Sequence, residues 1–331
     1  MLAKVLAAVG ILCVTSVVQA NNGTFPDKEI TLVIPTGAGG ATDVTSRFIA
    51  RAMSDYLKVP VVAVNKSGAG GMIGPAYIAQ QKPDGYTIGV LLTSATELAP
   101  YISKVPFKLD DLEFIASVAS YRFGLIVRAD SPYQTVGQLI EDSKKDGGTF
   151  FGASSITPGL GITRLGKLTG AHFELINLKS GTETTTEVIS GRVQSAISQP
   201  SDVIPHVQSG ALRMLASPGV NRWPQYPDVP TLHELGYDVK LMSEIALIAP
   251  AGTPSSIIKK LQEAAFYAAE NPELKAKFDQ LGMDSISKAG VDVKKMIREN
   301  FLLNGPAMRD INSDWVATEC FVDCDSASKS K

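Results

Sequence analysis

Gly-Ala-Gly-Gly occurs twice, at residues 37–40 and 68–71, each time between a strand-like and a helix-like segment. Glycine in such a turn lets the backbone bend tightly and lets a ligand approach main-chain N–H groups. The helix start behind it adds unpaired donors and a partial positive charge. Two such loops make an anion cradle that needs no basic side chain. Two ligand classes compete for it. A dinucleotide asks for G-x-G-x-x-G, but the third glycine of the first loop falls on Thr42. It also asks for Asp or Glu at the end of the second strand, where Val64-Asn65 stands. A small carboxylate asks for neither. Glycines that serve only as tight turns would explain one loop more readily than both.

Other polar residues cluster near these loops. Asp43 and Arg47 stand four apart on the helix that follows the first loop. They make either a surface ion pair or, for Asp43, a cap on the loop's own N–H groups. Ser154, Ser155 and Thr157 precede a later helix. Their hydroxyls either cap that helix or face the glycine loops across a cleft. Enzyme signatures are missing: there is no G-x-S-x-G elbow and no P-loop with its lysine. S-x-x-K occurs at Ser256 to Lys259 and Ser285 to Lys288, two matches that illustrate how weak that pattern is. His172, His206 and His233 are scattered, so no metal centre and no cofactor are expected.

These residues need elements to hold them. The chain alternates β-branched apolar runs with helical patterns, which predicts an α/β fold with parallel strands. Residues 30–34, 61–64, 86–92, 123–127, 193–198 and 212–216 read as strands. Residues 41–57, 75–81, 160–168 and 202–208 read as helices, and one more is capped by Thr135. Residues 153–158 read as a loop. Thr253-Pro254 and Asn271-Pro272 each read as an N-cap with a first-turn proline. The 331 residues favour two domains, with Lys+Arg 31 against Asp+Glu 33 and a net charge of −2. No basic field is available for nucleic acid or an anionic membrane, so nucleic-acid binding is not expected. Residues 5–18 form an apolar run behind Lys4 and end in Val18-Gln19-Ala20, a small-x-small pattern. Residues 1–20 therefore read as a signal peptide cleaved after Ala20, which implies a periplasmic protein. Cys320 and Cys324 would remain, either paired or as thiols in a polar tail, 318–331, that is not expected to pack.

With these motifs in order, the chain resembles the periplasmic solute-binding proteins of tripartite tricarboxylate transporters, the Bug or TctC-like family. The resemblance runs from about Phe25 to Ile311. It rests on PDKEITLVIPTGAGGATDVTSRFIA, on VVAVNKSGAGGMIGPAYIAQQKPDGYTIGV and on the late IALIAPAGTPSSIIKKLQ. The combination of G-A-G-G-x-I-G, a following P-D-G-Y-T and A-P-A-G-T-P carries its specificity. The resemblance implies the type II periplasmic binding-protein fold, two α/β lobes with a ligand cleft between them. Lobe one would be 24–123 plus 246–331, and lobe two 124–245. It further implies a small organic acid (mono-, di- or tricarboxylate) as ligand, membrane subunits of a tripartite transporter as partners, and a monomer. The implied ligand residues are Thr36, Gly37, Ala38, Gly39, Gly40 and Asp43 of the first loop, and Thr93 and Ser94 of a loop after the third strand. Ser154, Ser155 and Thr157 follow in lobe two, with Lys179 and Gln199. The chain departs from the family pattern in four places. Thr36 replaces an aromatic residue, the serine loop is shorter and lacks its histidine, Leu178 replaces a tyrosine, and Ser198 replaces an acid. These changes remove rings and a charge from the expected cleft, which suits a different carboxylate or a bulkier group. The alternative readings are a sensory protein that presents its ligand to a receptor and a nucleotide-binding enzyme.

Overall fold

Strand-forming runs and helix starts recur through the chain in the expected alternation. The computed structural model describes residues 25–311 and 321–322. The chain begins with β1 (Ile30–Ile34), α1 (Ala41–Leu57), β2 (Val61–Asn65), α2 (Ile73–Ala79), β3 (Thr87–Leu92), α3 (Thr93–Ile102) and β4 (Leu112–Tyr121). It continues with β5 (Gly124–Arg128), α4 (Val136–Ser143), β6 (Thr149–Ala153), α5 (Ile156–Thr169), β7 (Phe173–Asn177), α6 (Gly181–Ser190), β8 (Ser195–Ser198), α7 (Pro200–Gln208) and β9 (Leu212–Ala216). It returns through β10 (Glu244–Pro250), α8 (Ser255–Glu270), α9 (Pro272–Gln280), β11 (Met283–Ala289) and α10 (Gly290–Ile311).

The strands form two mixed sheets, ordered β11-β4-β10-β3-β1-β2 and β7-β6-β8-β5-β9. In the first, β1 runs parallel to β2 and β3, while β10 runs antiparallel to β3 and β4. In the second, β6 runs parallel to β7 and β8, while β5 runs antiparallel to β8 and β9. Helices cover both faces of a central strand such as β10, so its whole length, EIALIAP, is buried rather than alternating. The architecture is the two-unit α/β fold that the sequence predicts.

The chain crosses between the sheets after β4 and again before β10. The two crossovers are bonded to each other: Tyr121 N–H donates to the Ser243 carbonyl at 2.9 Å. Beside them Arg122, 6% exposed, pairs with Asp279 at 2.7 Å and Asp284 at 2.8 Å. Trp223, fully buried, donates from Nε1 to the Phe123 carbonyl at 3.0 Å. Gly282 adjoins this region with φ +73°, and a Cβ there would stand 2.4 Å from Pro200. Only glycine meets both conditions.

Four expectations need correction. α5 starts at Ile156, not near 160, so Thr157 and Pro158 lie in its first turn rather than in a loop. Proline is harmless there because a first-turn N–H has no intrahelical partner. Thr93 and Ser94 do not form a loop; they open α3 directly from β3. Thr253 is not an N-cap: Pro254 holds that position, and the Thr253 hydroxyl donates back to the Pro250 carbonyl at 2.7 Å. The tail does pack. Phe321 is 4% exposed, its ring lies 5.5 Å from Phe301 and 5.9 Å from Phe107, and its carbonyl accepts from Leu109 N–H. The polar residues around Phe321 and Val322 hid this short apolar anchor. The signal segment, its cleavage after Ala20, Cys320 and Cys324 lie outside the described residues.

Removing the Phe321 ring should leave a cavity among aromatic neighbours. Phe321→Ala is expected to lower the unfolding free energy by about 3–5 kcal/mol in urea titrations. A loss under about 0.5 kcal/mol would show that the tail adds nothing to the core.

Candidate functional site

Six helices follow the carboxyl ends of parallel strands, and four of them reach the cavity described below: α1 after β1, α3 after β3, α5 after β6 and α7 after β8, while α2 follows β2 and α6 follows β7. In open α/β sheets this edge is where ligands bind. Each N-cap residue (Gly40, Leu92, Ser155, Gln199) makes no side-chain cap hydrogen bond. Among the other helices, Thr135, Ser180 and Asn271 each accept from the backbone of the first turn of α4, α6 and α9, whereas Met72 at the start of α2 makes no side-chain cap. Pro254 of α8 is also uncapped, as proline has no side-chain acceptor. The starts of α1, α3, α5 and α7 face one cavity of about 670 Å³ between the two sheets. The first N–H groups of a helix lack intrahelical partners, and the dipole adds positive potential at that end. Four such ends from both sheets meet around one space.

Of the residues named from sequence, Thr36, Gly40, Ser94, Ser155, Thr157 and Gln199 line this cavity. Gly37, Ala38 and Gly39 continue the loop outside the lining. Ser154 lies just before the Ser155 cap, and Lys179 is exposed with its N–H bonded to Glu183. Thr93 is fully buried and its hydroxyl accepts from Glu244 N–H at 2.9 Å, which ties the start of α3 to β10. The second glycine loop contributes Ala69 and Gly70. Sequence reasoning missed Thr42, Tyr121, Phe123, Ser243 and the apolar face of α3, all in the lining. The signal for α3 was a spacing of apolar residues at 92, 95, 98, 99 and 102, obscured by Pro100.

Asp43 acts behind the loop rather than in the cavity: it caps the loop N–H and also pairs with Arg47, though not at the surface. Its carboxylate accepts from Gly39 N–H at 2.9 Å, from Arg47 Nε at 3.0 Å and from Asn65 Nδ2 at 2.8 Å. Asn65 also donates to the Thr36 carbonyl. Asp43 is 3% exposed, so this is a buried network and not a surface pair. It fixes the first glycine loop with Gly39 at φ +86°. The cavity floor is held by two hydroxyl pairs: Thr42 with Tyr121 at 2.6 Å, and Ser94 donating to Ser243 at 2.8 Å. Both pairs join a helix start to a crossover strand. Burial pushes the Tyr121 phenol up to about 12, so it stays neutral. Thr36 Oγ1 and Ser198 Oγ are buried without a hydrogen-bond partner. On the opposite side of α3, Glu97 accepts from Asn300 at 3.1 Å, and burial pushes its carboxyl up to about 8.

No Lys, Arg, His, Asp or Glu is among the lining residues. The wall therefore offers hydroxyls, one amide and backbone donors, which suits one anionic group and no metal ion. A groove of about 760 Å³ beside α5 and β7 is larger, but the second unit alone lines it.

Burial opposes ionisation of Asp43, but the bonds from Arg47, Gly39 N–H and Asn65 outweigh it and bring the carboxyl down to about 2 from 3.8. A carboxyl held below its unfolded value stabilises the fold above that value and loses its effect as pH falls toward 2. The contribution is about 2 kcal/mol. Asp43→Asn should be less stable than the unaltered chain at pH 6, with the gap narrowing by about that amount between pH 5 and pH 2. A gap independent of pH in denaturant titrations would contradict this.

The family model described as the tripartite tricarboxylate transporter family receptor (TctC) matches residues 45–313. A Cupriavidus necator relative, the "UPF0065 protein in gbd 5'region", is 35% identical over 285 residues, which is 84% of this chain and 86% of that protein. BugT of Bordetella pertussis is 33% identical over 265 residues, 77% of this chain and 81% of BugT. Among solved structures, a TctC solute-binding protein from Polaromonas without ligand is similar at a TM-score of 0.79 and 26% identity, over 88% of this chain and 100% of that one. The long family match and two relatives above 30% identity lead to one conclusion: this chain belongs to the TctC family of tripartite tricarboxylate transporter receptors.

Proposed function

We propose that the protein is an exported solute-binding protein that captures a small organic carboxylate between two lobes and delivers it to the membrane subunits of a tripartite transporter. The observation that carries this reading is the convergence of four uncapped helix starts, two from each sheet, on one cavity without charged side chains. A carboxylate there accepts from N–H groups of both sheets at once. Binding is then strongest when the lobes approach, and the ligand shifts the population toward the closed form. No cofactor and no bond-making step are needed. We take lobe one as 24–123 plus 246–331 and lobe two as 124–245; the strands separate into two sheets along the same division, except that Glu244 and Ile245 already belong to β10 of the first sheet. Cleavage after Ala20 and a monomeric carrier complete the proposal. Thr36, Gly40, Ser94, Ser155, Thr157 and Gln199 are the direct ligand residues in this reading, with Asp43 holding the loop.

Gly40 is the position that isolates binding from folding. A side chain at Gly39 would be strained by its positive φ, whereas Gly40 has φ −74°, and a Cβ there meets nothing nearer than the Gly37 carbonyl at 3.9 Å. Gly40→Asp places a carboxylate at the N-cap of α1, where Asp is favoured. It should change stability by only a few tenths of a kcal/mol while its charge occupies and repels the anion site. Isothermal titration with the best acid from a thermal-shift screen should show binding abolished in Gly40→Asp. The same titration should show binding weakened by about 0.5–3 kcal/mol in Ser155→Ala. Unchanged affinity in Gly40→Asp would remove the first glycine loop from the site.

A further inference from the structure

The chemistry of the cavity changes along α3. Its N-terminal turn presents Ser94 beside the other helix starts. From there Ala95, Leu98, Ala99 and Ile102 recur on the lining face. Ser94 and Ile102 are eight residues apart, about 12 Å along a helix. Leu92 and, from the opposite sheet, Ile156 complete this wall. Ile102, at its outer end, is 40% exposed, a large apolar side chain left in water on the wall of a cleft. Two facts together limit the ligand. Anion donors in the lining are the helix starts and the second glycine loop at Ala69 and Gly70, and no cationic side chain is among the lining residues to hold a second anion. A second carboxylate lying along Leu98, Ala99 and Ile102 would lose much of its hydration with no cation to compensate, Ser103 being the polar residue at that end.

We propose that the protein selects a monocarboxylate with an apolar body, its carboxylate at the helix starts and its chain or ring along α3 from Ala95 to Ile102. This rests on the carboxylate reading of the same cavity and narrows it to one acid class. Affinity then rises with apolar surface buried, about fourfold per added methylene when the gain is that of a fully buried CH₂. Dicarboxylates of the same length are disfavoured by the same wall.

The test is isothermal titration of the protein purified from the periplasmic fraction with butanoate, hexanoate, octanoate, the length-matched diacid octanedioate, and octanamide. The expected result is stepwise tightening from butanoate to octanoate, with octanedioate at least tenfold weaker than octanoate and octanamide not detectably bound. In Ala99→Lys, whose thermal unfolding is checked alongside, octanoate should weaken at least tenfold while octanedioate tightens. Octanedioate binding as tightly as octanoate, or no gain with chain length, would overturn the apolar subsite and leave the carboxylate reading standing. Octanamide binding as tightly as octanoate would overturn the carboxylate reading itself. Failure of every acid to bind would overturn both.

Discussion

In the proposed reading an anion is held without cationic side chains, since no Lys, Arg or His is among the residues lining the cavity. Backbone N–H groups substitute for lysine and arginine only if several helix starts are aimed at one point and left uncapped. The topology provides this. Parallel strands β1, β3, β6 and β8 each release a helix at the same edge of their sheet, and the two sheets present those edges to one cavity. Of the helices whose starts do not line the cavity, α4, α6 and α9 carry side-chain caps from Thr135, Ser180 and Asn271, while α2 and α8 begin uncapped at Met72 and Pro254. In the proposed reading, the N–H groups of the four cleft starts are left open for the ligand.

Precision at the cleft comes from contacts one layer behind it. The buried Asp43 carboxylate gathers Gly39 N–H, Arg47 and Asn65, and so fixes the shape of the first glycine loop. Thr42–Tyr121 and Ser94–Ser243 bind the first turns of α1 and α3 to the two crossovers. A change in crossover conformation is thereby passed to two of the four helix starts. The crossover after β4 comprises only residues 122–123, and it lies beside the one before β10, to which Tyr121 N–H is bonded at the Ser243 carbonyl.

Much of the scaffold was legible because local signals agreed with the global fold. The bounds of β1, α1 and β9 match their apolar patterns residue for residue. α3 was hidden by Thr93, Ser94, Thr96 and Pro100, all weak helix formers, so its first residues read as a loop and its apolar face went unnoticed. α5 reads as starting late because Pro158 and Gly159 look like breakers. Within the helix, Gly166 is required by packing, since a Cβ would stand 2.7 Å from the Ala171 carbonyl. Tyr121 and Ser243 escaped because they lie more than a hundred residues apart and meet only after both sheets have formed. The glycine loops and Ser155 were visible because turns and helix starts have local chemistry. The apolar wall was not, because it depends on which face of a helix tertiary contacts leave open.

The central idea is that main-chain donors of both sheets share one carboxylate. Amide chemical shifts measured by ¹H–¹⁵N NMR during titration with the tightest-binding acid test it most directly. The largest shifts should appear together in the first turns of α1, α3, α5 and α7, at residues such as Thr42, Ser94, Thr157 and Ser201, with one common dissociation constant. Shifts confined to the helices of a single sheet, or centred away from these four starts, would contradict it.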